Sequence, residues 1–246
     1  MDLSNVTAHL DTLLAASSYP AESNGLLVAG IQQVHKVAGT VNLSWSSLRT
    51  AAGQGVNLLF SHHAAWNSTD ADIAQEKYEF ARKAGLSVYV AHDSLDMHSQ
   101  LGTAISLART LDCEPVSFFA DGLGVLALPP NDPSFESFVS HVQTTVNPDA
   151  LAWPSHHSAG KVAIITGWGA RPEWMNLAHI DGAGTFLSGE GIHFGKLYAF
   201  ESGLNLILAG HYSTEAPAVK SVIRRLASEL DIEAIFLADQ KSSELF

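Results

Sequence analysis

Two adjacent imidazoles, His62 and His63, follow directly on an apolar run of Val56, Leu58, Leu59 and Phe60, with Gly55 in front of it. Such a run fits a buried strand, and the pattern predicts that the strand stops where the histidines begin. In an open α/β sheet, ligands collect at the carboxyl ends of strands, because helices cover the faces and leave only the loop edge open. A His-His pair at such an edge can share one metal ion or point its rings at two. It can equally be a surface or hydrogen-bonded pair. Two other apolar strands end in similar residues: 86–91 runs into His92 and then Asp96, and 204–209 runs into His211 and then Glu215.

Mixed imidazole and carboxylate donors suit iron, zinc or manganese. Five protein ligands are too many for one tetrahedral catalytic site that keeps an open position, whereas two ions sharing a bridging carboxylate can use them all. The predicted ligands are therefore His62, His63, Asp96, His211 and Glu215, and the predicted cofactor is two divalent metal ions per chain, Fe, Zn or Mn. Glu190 ends a strand expected over 184–188 and can serve as a general base, orient water or act as a structural acceptor. His92 can contact a metal directly or support a ligand through a hydrogen bond. His156-His157 repeats the pair, but after Trp153-Pro154-Ser155 it reads as a solvated loop. His193 falls on the helix after Glu190, and His9, His35, His98, His141 and His179 have no partner that the spacing reveals. No Walker loop, GxGxxG, GxSxG or HExxH is present.

Strands and helices must alternate to place these residues. Leu3, Val6, Leu10, Leu13 and Leu14 predict a helix over 3–16, followed by strands over 23–30 and 34–41 and a helix over 47–52. After the His-His strand come a polar loop over 68–72, a helix over 73–84 capped by Gly85, the strand 86–91 and a helix over 100–111. Gly and Pro punctuation between 122 and 133 marks the expected boundary of a second lobe. Within it, Phe135, Phe138, Val139, Val142 and Val146 define a helix, followed by a strand over 161–166, a helix over 173–178, the strand before Glu190 and a helix over 192–201. The chain closes with the strand 204–209, a helix over 215–230 and a strand over 234–237. The class is α/β: two interlinked α/β lobes with mixed sheets flanked by helices and the metal site between them. The first lobe is expected over 1–121 plus about 204–246 and carries most of the ligands, and the second, inserted lobe over about 122–203. A helix, Gly85, Leu86, strand, Ala91, His92 and Asp96 can be set beside a helix, Gly203, Leu204, strand, Ala209, His211 and Glu215. Duplication and chance similarity both account for that likeness.

Of the 246 residues 46% are hydrophobic, enough for a substantial core. Twenty-five acidic against thirteen basic residues give a formal charge of −12, which disfavours a nucleic-acid footprint or an anionic membrane surface. A phosphorylated substrate would need local cations, which metal ions can supply. The one cysteine, Cys113, excludes an internal disulfide and a CxxC zinc site and suits a reducing cytoplasm. The N-terminus has neither a basic nor an apolar leader region, and no run approaches membrane-spanning length, so a cytoplasmic protein without a membrane partner is expected.

Several segments resemble the NIF-three-like (NGG-interacting factor) family, many of whose members carry the label GTP cyclohydrolase I type-two homologue. They are Ser23-Asn-Gly-Leu, Phe60-Ser-His-His, His92 to Asp96 followed by Leu101-Gly, Ser188-Gly-Glu, and Gly210-His-Tyr-Ser-Thr-Glu215, spread over nearly the whole chain. The resemblance implies a dinuclear metal centre on His62, His63, Asp96, His211 and Glu215. It also implies a ring-like homo-oligomer, such as a hexamer, and a small-molecule substrate of the purine-nucleotide kind. This chain departs from the family pattern at Ala64, where Pro is usual, and at Val41-Asn42, where an Asp is usual. Neither change removes a ligand, but both touch the loop beside the metals. Three readings of the function follow: a metal-dependent hydrolase acting on a nucleotide or phosphoester, a metal-binding regulatory or assembly protein without catalysis, and an iron redox site.

Overall fold

The computed structural model describes residues 1–238. The chain divides into two compact units, Met1–Asp96 with Val219–Phe246, and Met97–Ala218. The first contains α1 (Leu3–Leu14), β1 (Asn24–Val28), β2 (Lys36–Asn42), α2 (Trp45–Gly53), β3 (Leu58–His63), α3 (Asn67–Asp70), α4 (Ile73–Lys83), β4 (Ser87–Ala91) and α5 (Asp93–Asp96). The second contains α6 (Thr103–Thr110), β5 (Glu114–Phe119), β6 (Gly124–Leu128), α7 (Phe135–Thr145), β7 (Leu151–Trp153), β8 (Val162–Ile164), α8 (Pro172–Ile180), β9 (Thr185–Ser188), α9 (His193–Ser202) and β10 (Asn205–Leu208). Helix α10 (His211–Leu230) begins in the second unit and ends in the first, which β11 (Glu233–Phe236) completes.

In the first unit the sheet runs β1-β4-β3-β2-β11, with four parallel strands and β1 antiparallel at the edge. Parallel strands are covered on both faces and so read as continuous apolar runs, as in the wholly buried Ser87–Ala91. Val28, Leu48, Leu59, Val88 and Val90 share one core cluster there. Helix α1 stops two residues short of the predicted end because Ala15 takes a left-handed conformation, φ 49°. The predicted loop over 68–72 contains the short helix α3.

The second unit has a six-stranded sheet, β5-β6-β8-β9-β10-β7. Alternation along its strands separates two cores. Ile164, Leu187 and Ile207 face α6 and α7 residues such as Leu107, Phe138 and Val142, while Ala163, Phe186 and Leu206 meet Met175 and Ala199 of α8 and α9. Cys113 is buried in the first of these cores, and burial pushes its thiol up to about 12, which leaves it chemically quiet.

The units are bounded differently from the sequence expectation. Residues 97–121 and 204–218 belong to the second unit, because β5 pairs with β6 and β10 pairs with β9 and β7. The Gly and Pro punctuation over 122–133 belongs to the turn before β6 and the connection to α7. Strands β5 and β7 carry no strand pattern in sequence: β5 is exposed over five of its six residues and contains Pro115, and β7 has three residues.

The two units share a topology. The order α1-β1-β2-α2-β3-α4-β4 gives the strand arrangement β1-β4-β3-β2, and α7-β7-β8-α8-β9-α9-β10 gives β7-β10-β9-β8. The first strand of each set is antiparallel to the last, and the other three are parallel. Strands β3 and β4 thus correspond to β9 and β10, and the chemistry-bearing residues occur at or just after the carboxyl ends of these four.

Candidate metal centre

In the first unit β3 is hydrogen-bonded on both sides, with Asn42 of β2 opposite His63 and Val90 of β4 opposite Ser61. The ladder with β2 therefore continues through both histidines instead of stopping before them, while the ladder with β4 ends at Ser61. His62 is completely buried, 0% exposed, and its Nδ1 lies 2.8 Å from the Ala91 carbonyl oxygen. A carbonyl only accepts, so Nδ1 carries a proton, which leaves Nε2 as the nitrogen that can act as a ligand atom. That Nε2 lies 3.6 Å from Asp96 Oδ1. The separation is long for a hydrogen bond, but close to the roughly 3.4 Å expected between two donors that each sit about 2.1 Å from one tetrahedral ion.

His63 is held in the same way, with Nδ1 2.7 Å from Asn42 Oδ1. His92 follows β4; its backbone N–H donates to Asn24 Oδ1 and the Ser23 carbonyl, and its ring stacks on that of His62 at 5.0 Å between centroids. The amide of Asp96 donates to the His92 carbonyl, one helical turn back. His62, His63 and His92 each offer a ring nitrogen, all within 4.8 Å of one another, a spacing that could hold a metal ion. Trp66 packs its indole against His63 and His92 and donates from Nε1 to Ser23 Oγ.

In the second unit α10 starts at His211, four residues before the predicted start. His211 and Glu215 are therefore one turn apart on one helical face. Thr214 lies inside the first turn rather than capping it. Its Oγ1 reaches back to the carbonyl oxygens of Gly210 and His211 and accepts from the Gly167 N–H at 3.1 Å. Pro217 is inside the helix and withholds the amide that would bond the Ser213 carbonyl. His211 stands between two carboxylates, its Nε2 3.1 Å from Glu215 Oε1 and its Nδ1 3.4 Å from Glu190 Oε2. Burial opposes the charged ring, but the bonds and charges of Glu215 and Glu190 together prevail and raise the His211 pKa to about 9.

Glu215 is 4% exposed and lies in a cradle lined by backbone. A Cβ at Gly167 would stand 2.3 Å from Glu215 Oε1 and 3.0 Å from His211 Nε2. A Cβ at Gly189 would strike the Gly167 carbonyl at 2.6 Å and His211 Cα at 2.8 Å. The loop after β8 also grips Glu190, whose amide donates to the Gly167 carbonyl and whose carbonyl accepts from Ala170. A buried carboxylate one turn from an imidazole, with a second carboxylate on the far ring nitrogen, is a donor set that fits a divalent cation.

Other sequence candidates lie elsewhere. His156 and His157 are exposed, and His156 bonds around Asn205, at the start of β10 and hence the opposite end of that strand from His211. His9 pairs with Glu229, and His98 Nδ1 accepts from the amides of Gln100 and Leu101. Asn42, Gly167, Gly189 and Thr214 were not predicted as part of a site. Gly189, directly before Glu190, and Asn42, in a departure from the family pattern, carried a signal in the sequence, whereas Gly167 and Thr214 are brought to the site only by the fold.

A family model for DUF34/NIF3 (NGG1p interacting factor 3) matches residues 1–242. The chain belongs to this family. A GTP cyclohydrolase 1 type 2 homolog of Archaeoglobus fulgidus is 31% identical over 241 residues, covering 96% of this chain and 98% of that protein. One of Deinococcus radiodurans is 32% identical over 240 residues, covering 93% and 89%. Among solved structures, protein ybgI, described as of unknown function, superposes with a TM-score of 0.89 at 21% identity, covering 97% and 98%, a likeness of fold. The family member is thus a mixed α/β protein with two mixed sheets flanked by helices, and among the described residues no helix is long and apolar enough to cross a membrane.

Proposed function

We propose that this NIF3-family protein is a divalent-metal-dependent hydrolase that holds two ions per chain on His62, His63, Asp96, His211 and Glu215. The observation that carries the reading is the His62 arrangement: a buried ring, its proton fixed on Nδ1 by the Ala91 carbonyl, with Nε2 at ligand spacing from Asp96. The cradle of Gly167 around Glu215 and His211 supports the same reading in the second unit. When bound, the ions would lower the pKa of water and stabilise negative charge on a reacting oxygen.

The protein's own residues would do the rest. His62 and His63 would offer Nε2 to the ions, because their Nδ1 protons are committed to Ala91 and Asn42. Glu190, about one third exposed and paired with His211, would serve as the general base. His92 supplies a further ring nitrogen beside His62 and His63, as a donor or as support for them. The names of the relatives make a purine nucleotide, GTP, the first substrate to try, and the phosphoester class is the second because two metal ions suit phosphoryl chemistry.

The test is turnover of GTP and simple phosphoesters by protein loaded in turn with Fe(II), Zn(II) and Mn(II). Metal-dependent turnover that is lost in Glu190→Gln with metal retained supports the assignment. Full metal loading with no turnover of either class overturns catalysis in favour of a binding or assembly role. A response to oxygen or reductant without hydrolysis points to an iron redox site.

A further inference from the structure

We propose that Asn42 is a positioning residue that selects the tautomer and ring orientation of His63, making Nε2 its ligand atom, and that it does so as a neutral amide. This rests on the metal reading above for its purpose, but not for its geometry. Asn42 and His63 are register partners at the carboxyl ends of the parallel strands β2 and β3, so the two side chains project from neighbouring ladder positions. The contact is 2.7 Å, from His63 Nδ1 to Asn42 Oδ1.

The backbone behind Asn42 is fixed independently. The amide of Ser44 and the hydroxyl of Ser47 both donate to the Asn42 carbonyl, each at 2.9 Å. Ser44 and Ser47 in turn form the reciprocal capping box that starts α2. On the other strand, Ser61 Oγ donates to the His63 carbonyl at 2.7 Å. A helix cap and a strand ladder thus hold the amide oxygen opposite Nδ1, and an accepting oxygen there requires the proton on Nδ1.

An amide performs this orientation without adding charge. A carboxylate at the same place would bond the same nitrogen, strengthen the imidazole as a donor and add a negative charge beside the cluster. The neutral residue therefore keeps His63 oriented but makes it a weaker donor than a carboxylate-backed histidine would be. Asn42→Asp should accordingly bind metal at least as tightly as the wild type, and Asn42→Leu, which has no acceptor, more weakly.

Two readouts on the intact protein decide this. Nitrogen-15 NMR of the metal-free protein, with His63 identified by the loss of its signals in His63→Gln, reports the tautomer directly. Titration with Co(II), followed by its visible spectrum, reports affinity and coordination. The expected result is an Nδ1–H tautomer for His63 in the wild type and in Asn42→Asp, a changed tautomer population in Asn42→Leu, and a 10- to 100-fold weaker Co(II) affinity in Asn42→Leu alone. An unchanged His63 tautomer in a folded Asn42→Leu overturns the proposal, as does wild-type Co(II) affinity and spectrum in that variant. If the wild type binds no Co(II) while the tautomer responds as expected, the orienting role of Asn42 stands and the metal reading falls.

Discussion

Glu215 combines two properties that would make it hard to replace as a ligand, a buried carboxylate and a neighbouring Gly167 that leaves no space for a Cβ beside it. Gln keeps the shape and loses the charge. Glu215→Gln should therefore lose at least one metal equivalent and nearly all metal-dependent turnover with an unchanged circular dichroism spectrum, whereas His156→Ala and His157→Ala should keep their metal; elemental analysis of the three variants checks this. His211 gives a pH prediction for the metal-free protein. Its folded pKa of about 9 lies above its ordinary 6.5, so the ion pairs it makes stabilise fully below about pH 6.5, and that contribution is lost as pH rises through about 9. The wild type should lose more thermal stability than His211→Gln between pH 6.5 and 10. Parallel melting curves for the two across that range would contradict the assignment. At this scale the sequence was informative because imidazoles and carboxylates announce themselves. It could not reveal Asn42 as the acceptor for His63, since that contact is made across a strand pair.

The elements explain how short segments hold these groups. Gly167 has φ +57°, a conformation that costs a residue with a Cβ roughly 1–2 kcal/mol, and the added carbon would also enter the Glu215 carboxylate. Gly167→Ala should lower the melting temperature of the metal-free protein by a few degrees and reduce metal content as Glu215→Gln does. Melting curves and metal analysis together check it, and a variant that melts lower but keeps its full metal content would separate the strain from the site. The strands bearing the chemistry were legible because strands buried on both faces read as near-continuous apolar runs, as after the first residue of Ser87–Ala91 and of Asn205–Leu208. Their ends were less so: β3 runs through His62 and His63 because β2 extends the ladder to His63, beyond Ser61 where the pairing with β4 ends. Helix α10 begins at His211, in a first turn where the Thr214 hydroxyl bonds back to the Gly210 and His211 carbonyls. Strand β5 escaped notice because it is an exposed edge with a proline in it.

Over the whole chain, one topology occurs twice, and each copy presents polar groups at or just after the ends of its corresponding strands: the histidines at the end of β3 and His92 after β4, Glu190 after β9 and His211 after β10. The likeness between the segments around His92 and His211, ambiguous as a sequence repeat, thus coincides with equivalent positions in two sheets. The division into units was less legible than the strands, because Gly and Pro clusters mark turns whether or not a boundary passes through them. The family resemblance leads to a homo-oligomer larger than a dimer, and the exposed Ile180, Phe194 and Phe200 on α8 and α9 supply apolar surface of the kind association buries. Light scattering at micromolar concentration should give such a mass, and a monomer would contradict it. Two ions held by the five named side chains are the core of the proposed site. Anomalous diffraction from metal-loaded crystals, collected on both sides of the metal edge, tests this directly. Two peaks per chain, each within about 2.5 Å of donor atoms from His62, His63, Asp96, His211 and Glu215, are the predicted result, and peaks absent from all five or centred on His156 and His157 would contradict it.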